Sequence, residues 1–347
     1  MFGARHSSGA LPGAADADRS ATQLQSLLLR SLTIYSVSMP RKAILSIKAE
    51  SRYKDLPEER YHFSRRLLRR AQESIGEQVI YYETGRTGLT DLGRTGRESY
   101  IACGRIAGVI PDPDAEGYYF ALIDGYLPFV RPVPFREAEH FYESFLKKPD
   151  GTTNRGAAGQ AIRHVPDDEF ELILAAGLGP ALGDLRAEAR STADGFSDPP
   201  AEFERPIVQQ LVNRKVRDAL FSRFIRDTYD ATCAVSGLRI VNGGGRAEIE
   251  AAHIRPVEQH GPDSPRNGIA LCRTAHWMFD RGLLALTSDE RFIVNTQRVP
   301  EDARRLLRQD GRLILPRDAS VRPHPLFIDW HRIHVFEPKL VQSAQMS

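Results

Sequence analysis

Four polar side chains in the C-terminal third, His253, Asn267, His276 and Asp280, are spaced for hydrolytic chemistry. His276 and Asp280 lie four residues apart, so on a helix both project from one face. An imidazole and a carboxylate so placed can hold one divalent cation, Mg²⁺ or Mn²⁺. A histidine free of the metal suits a general base toward water, the role read for His253. The amide of Asn267 can accept and donate at once, which suits fixing a loop or orienting the histidine. A cation held there would polarise a phosphate ester and neutralise charge on the leaving oxygen. The set therefore points to metal-assisted hydrolysis of a phosphodiester.

These residues need a strand, a loop and a helix to position them. EIEAAHIRPV, ending at Val257, reads as a strand carrying His253. EQHGPDSPRNGIALC reads as a loop carrying Asn267, and RTAHWMFDRGLLAL opens a helix carrying His276 and Asp280. Upstream, LVNRKVRDALFSRFIRDTYD reads as a helix whose arginines form either a solvated face or a phosphate-facing one. Phe327, Trp330 and Phe336 mark a closing helix near the C-terminus. Towards the N-terminus, AILSIKA, EQVIYYE, SYIACGRIAGVI and GYYFALIDGYLPF read as strands between turn signals. PEERYHFSRRLLRRAQESIG, stopped by Gly76, and FREAEHFYESFLKK read as helices. The class is α+β: a small mixed β-barrel with outer helices over residues 39–175, an Ala, Gly, Asp, Ser and Pro-rich hinge at 176–208, and a second domain at 209–347. Residues 1–38 read as a disordered tail, with Met39 a candidate start.

The intervals, 14 from His253 to Asn267, 9 to His276 and 4 to Asp280, together with AAHIRP, RNGIALC and HWMFDRGLL, resemble the HNH nucleases, in the branch found in restriction endonucleases. That resemblance implies a ββα-metal fold, with His253 activating water, Asn267 as a structural amide, and His276 with Asp280 as metal ligands. Ala252 stands where many members carry a further ligand, so the ion would be held by two protein groups plus water and phosphate, with Glu250, two residues earlier on the same strand face, either a substitute ligand or a solvated strand residue. DLPEERYHFSRRLLRRAQESIGEQVIYYE, GRESYIACGRIAGVI and GYLPFVRPVPF, within about residues 41–170, are similar to PUA-like domains, which include EVE modules. Members of that group accept a flipped or single-stranded base in an aromatic-lined pocket. On this resemblance Tyr61 and Tyr82 are candidate stacking residues, with packing in the core or at the surface as the other reading, and Arg65 and Arg69 form either a phosphate-facing stripe or a solvated one.

The combined expectation is a modification-dependent restriction endonuclease acting on double-stranded DNA. Two active sites are needed for a double-strand break, which makes a homodimer the economical assembly. Two alternatives stand beside it: an N-terminal sensor of a small nucleotide that licenses indiscriminate DNA degradation, and a reader that binds DNA without cutting. Composition is compatible with all three. The 347 residues carry 47 basic and 45 acidic side chains, and only seven of the basic ones are lysines. Arginine grips phosphate bidentately and reads guanine edges. Three scattered cysteines, Cys103, Cys233 and Cys272, form no C-x-x-C pair, which fits a reducing cytoplasm, and no apolar run approaches membrane-spanning length.

Overall fold

The computed structural model describes residues 40–48, 54–84, 98–192, 211 and 214–338, all within one compact unit, Pro40–Ser347. The expected tail and the candidate start at Met39 lie outside the described residues. The first half is built on eight strands: β1 (Ala43–Ile47), β2 (Arg60–Ser64), β3 (Gln78–Glu83), β4 (Ser99–Pro111), β5 (Tyr118–Pro134), β6 (Arg136–Glu137), β7 (His140–Phe141) and β8 (Ile162–His164). Six of them form one sheet in the order β2-β5-β4-β3-β1-β8, in which β1 and β3 run parallel and the other pairs antiparallel.

Period-2 alternation places apolar side chains on both faces of this sheet. Ala43, Leu45, Tyr61, Phe63, Val79 and Tyr81 fill one side. Ile44, Ile80 and Tyr82 fill the other, beneath Phe170, Ile173, Leu174 and Leu178 of a long helix, α3 (Asp167–Thr192). Register shifts along β4, at Tyr100/Ala102, Cys103/Arg105 and Ile106/Gly108, are bulges that bend the strand and curl the sheet. The curl stops short of closure: β2 and β8 remain separate edges, so the expected barrel is a half-barrel. Across the gap, the Tyr61 hydroxyl lies 2.9 Å from the carbonyl oxygens of both Ser46 and Ala161.

Three local expectations change. The segment expected as a helix from Pro57 begins as strand β2, because Tyr61 and Phe63 alternate into the core. Only α1 (Leu68–Gln72), after a 3-10 turn, is α-helical before the Gly76 stop. FREAEHFYESFLKK forms the β6–β7 hairpin and a 3-10 turn at Ser144–Leu146, the reversal turning at Ala138, whose φ is +51°. The hinge expected from residue 176 is helical as far as Thr192, and its remainder lies outside the described residues. Gly177 is a packing position rather than a hinge, since a Cβ there would lie 2.4 Å from the Phe129 ring. A short α2 (Arg155–Ala158) precedes β8.

α4 (Arg214–Thr228) lies between the two halves and feeds both cores. Val216 and Leu220 pack into the sheet-side cluster, while Phe221 and Ile225 pack into the C-terminal one. The C-terminal half then runs β9 (Glu250–His253), β10 (Gly268–Leu271), α5 (Arg273–Asp280), β11 (Leu284–Thr287), β12 (Arg291–Val294), α6 (Glu301–Arg304) and α7 (Pro325–His331). β9 and β10 pair antiparallel with His253 opposite Gly268, and β11 pairs with β12. Gly268 makes room for α4: a Cβ there would lie 2.4 Å from Ile225 and 2.8 Å from Phe221. Phe327 and Phe336 are buried beneath this half, as expected of a closing helix, whereas Trp330 is half-buried and stacks on His334.

Candidate active site

The last residue of β9, His253, projects into a cleft of about 570 Å³ that is also lined by His276 and Asp280 of α5, Arg214 and Asp218 of α4, and His331 of α7. The strand–loop–strand–helix order thus brings three of the four expected residues to one surface. The fourth, Asn267, is fully buried behind the cleft, at the end of a 3-10 turn before β10. Its Oδ1 accepts from the Arg255 backbone N–H at 2.9 Å, and its Nδ2 donates to the carbonyls of Arg255 (2.9 Å) and Pro262 (3.0 Å). One amide therefore ties together both ends of the loop between His253 and Asn267.

The His253 ring stacks on Phe221 of α4 with centroids 3.7 Å apart and planes 13° apart. Its Nε2 lies 3.0 Å from Oδ1 of Asp263, a loop carboxylate with no exposed surface. Two arginines of α4 reach the same carboxylate: Arg214 with bonds of 2.9 and 3.0 Å, and Arg217 at 2.5 Å. Burial pushes the Asp263 carboxyl up, but the His253 hydrogen bond and the charges of Arg217 and Arg214 outweigh it and hold the group down at about 2. No local spacing in the sequence marks Asp263, because its partner arginines sit on an element nearly fifty residues away.

On α5, Nδ1 of His276 lies 2.9 Å from Glu250 Oε2, and Nε2 lies 3.6 Å from Asp280 Oδ2. A carboxylate on one imidazole nitrogen fixes the ring and turns the other nitrogen outward as a ligand. Two donors 3.6 Å apart can share one cation, since Mg²⁺–ligand distances are about 2.1 Å. His276 Nε2 and Asp280 Oδ2 therefore fit a divalent ion. Among the described residues no three His, Cys, Asp or Glu side chains converge on a ready-made metal site, so an ion held by this pair would take its other ligands from water or substrate. Glu250, the alternative third ligand, braces His276 and pairs with Arg273 at 3.1 Å. Its hydrogen bond to His276 lowers its carboxyl from the ordinary range against the opposing effect of burial, and Arg273 lowers it further. His331 also borders the cleft, but burial pushes its imidazole down to about 4, so it is neutral at physiological pH.

The N-terminal candidates do not converge. Tyr61 is buried in the sheet interior with its hydroxyl at backbone carbonyls, which removes its ring as a stacking surface. Tyr82 is buried on the opposite face, with the Arg163 guanidinium 4.8 Å from its ring centroid, yet it borders a cavity of about 330 Å³ shared with Phe135, Glu98, Arg136 and Arg155. Arg65 is exposed, and Arg69, also exposed, pairs with Glu73 at 2.9 Å. The two halves meet at ion pairs on either side of the Asn267 loop: Arg266 with Glu58 at 2.9 Å and Arg255 with Glu59 at 2.5 Å. No helix among the described residues is long and apolar enough to cross a membrane.

Residues 233–287 match the HNH endonuclease family, so β9, β10 and α5 are the frame of an HNH endonuclease domain. Among solved structures the chain is similar to the modification-dependent TagI restriction endonuclease, at 16% identity over 84% of this chain and 81% of that one, with a TM-score of 0.27. It is also similar to the Type IV phosphorothioation-dependent restriction endonuclease ScoMcrA, at 15% identity over 68% of this chain and 46% of that one, with a TM-score of 0.17. No curated protein matches it.

Proposed function

We propose that the chain is a metal-dependent DNA endonuclease, with residues 209–347 hydrolysing the phosphodiester and residues 39–175 selecting DNA by a modified base. The observation that carries the first part is the shared cleft: an imidazole held by a carboxylate faces the same space as a His–Asp pair fit for a cation. His253 takes a proton from the attacking water. Asn267 keeps the loop in register, and Glu250 keeps His276 turned toward the ion. His276 and Asp280 would hold a Mg²⁺ or Mn²⁺ ion, which when bound would supply positive charge to polarise the phosphate and offset charge on the leaving oxygen. Beside the cleft, Trp277 is 52% exposed with the Arg281 guanidinium 4.5 Å over its ring, a pairing suited to DNA contacts.

The N-terminal part of the reading rests on the likeness to PUA/EVE-like modules and on the cavity beside Tyr82, where Phe135 offers an apolar wall and Glu98, Arg136 and Arg155 offer polar edges. With one His253 and one His276–Asp280 pair per chain, a double-strand break calls for two chains. The test is digestion of modified and unmodified plasmid by the full chain with Mg²⁺ or Mn²⁺, beside His253→Ala and a chelator control. Cleavage of modified DNA alone, lost with His253→Ala or chelator, is the expected result. Cleavage of any DNA after a nucleotide is added would favour the ligand-sensor alternative, binding without cleavage the inert reader, and full cleavage by His253→Ala would remove His253 as the base.

A further inference from the structure

We infer that Asp263 is the positioning residue for His253, and that Arg214 and Arg217 clamp it so that it dictates which imidazole nitrogen faces water. The inference rests on His253 being the base. A buried carboxylate is costly unless strongly partnered, and Asp263, with no exposed surface, has three partners converging on two oxygens. Those partners come from two directions. The arginines approach from α4, and among the described residues the other group bonded to the Asp263 carboxylate is His253 Nε2, on β9. A loop carboxylate serving merely as a structural clasp would have no need of the histidine.

The consequence for the ring follows from what each group can donate. An ionised carboxylate only accepts, so the proton of neutral His253 must sit on Nε2, leaving the Nδ1 lone pair free. Among the described residues no protein group bonds Nδ1, and 18% of the His253 side chain is exposed, on the side of the cleft. Stacking on Phe221 fixes the ring plane, and Asp263 fixes the rotation within it and the tautomer. When Nδ1 takes a proton from water, the imidazolium charge forms against a carboxylate already in place, as behind the histidines of unrelated hydrolases.

The arrangement also says what an amide would do there. Oδ2 of Asp263 lies between Arg214 Nη1 (3.0 Å) and Arg217 Nη2 (2.5 Å), whereas Oδ1 meets Arg214 Nη2 (2.9 Å) and His253 (3.0 Å). In Asp263→Asn the single oxygen belongs at the two-arginine position, and the NH₂ group turns to His253 Nε2. That forces the ring proton onto Nδ1, the nitrogen that should accept from water.

The test uses the full chain labelled with ¹⁵N-histidine, the His253 signals being assigned by their loss in His253→Ala. The wild type should show the Nε2–H tautomer at high pH, and the Nδ1–H tautomer there would overturn the inference without any variant. Folded Asp263→Asn should show the inverted tautomer, a kcat lowered by roughly 10² to 10⁴-fold, and DNA affinity and metal titration within about threefold of wild type. A folded Asp263→Asn with wild-type kcat, or one that loses kcat with its tautomer unchanged, would reduce Asp263 to a structural ion pair. If His253→Ala cleaves normally while the wild-type tautomer is as expected, the base assignment fails and the positioning contact stands.

Discussion

Replacing Asn267 tests whether the buried amide acts through the loop or on the substrate. Asn267→Ala removes three hydrogen bonds and leaves the Arg255 N–H, the Arg255 carbonyl and the Pro262 carbonyl without their partner in a fully buried position. At a net value of about 0.5 to 1.5 kcal/mol per bond, the loss comes to roughly 2 to 4 kcal/mol. Asn267→Asp keeps the shape but turns two donations into oxygen facing carbonyl oxygen, so it should cost at least as much as alanine at neutral pH. The same amide spaces Arg255, two residues after His253, from Pro262, next to Asp263, so cleavage should fall together with stability in both variants. Urea titrations with equal m-values would give the stability change, and plasmid nicking the rate. If Asn267→Ala unfolds at the wild-type urea midpoint yet fails to cleave, the amide works directly on substrate and the loop-closing account is wrong.

Gly261→Ala should strike the same loop by sterics, because the new Cβ would lie 1.8 Å from the Arg255 carbonyl oxygen, forcing a backbone shift of about 1 Å. About 1 to 3 kcal/mol of stability and roughly 10²-fold in cleavage should be lost, and a wild-type melting curve and nicking rate would show that the loop yields freely. Asp280→Asn, at a side chain 54% exposed, should leave stability within about 0.5 kcal/mol while raising the Mg²⁺ or Mn²⁺ needed for half-maximal cleavage. An unchanged metal titration would assign the ion to another group. Acid should weaken the fold through Asp263, whose carboxyl is depressed from 3.8 to about 2. The stabilisation, on the order of 2 kcal/mol, is present above about pH 4 and lost as pH falls through 2. Urea stability measured between those pH values should fall more steeply in wild type than in Asp263→Asn, and equal slopes would contradict it.

The placement of the four spaced polar residues on a strand, a turn and a helix was legible in the sequence because it is local. His253, Asn267, His276 and Asp280 lie on consecutive elements whose type follows from short-range pattern, and the structure puts them on that strand, turn and helix. The strands β1, β3, β4 and β5 were legible for the same reason, through Val, Ile, Tyr and Phe runs between turn residues. β2 was hidden because Tyr61 and Phe63 sit among Arg and Glu residues that suit a helix equally well, and only a neighbouring strand, β5, decides between the two. Closure of the sheet is a property of six strands together, so a half-barrel cannot be told from a barrel one strand at a time. Arg214 and Arg217, read as part of a charged outer face, turn inward to Asp263, and Arg223 pairs with Asp184 at 2.6 Å. Charge spacing along a helix shows which residues share a side and leaves open what that side faces.

The double burial of α4 bears on how this enzyme can be rebuilt. With Val216 and Leu220 committed to one core and Phe221 and Ile225 to the other, a cut on either side of the helix takes α4 away from one of the two cores and leaves that half without its full interior. Calorimetry should therefore record a single melting event for residues 40–338. Chimeras that graft a foreign recognition half onto this nuclease would have to redesign the Val216 and Leu220 side of the helix to suit the incoming sheet. A flexible tether joining the two pieces would be a poor substitute, because the helix that completes the N-terminal core also brings Arg214 and Arg217 to the carboxylate behind His253.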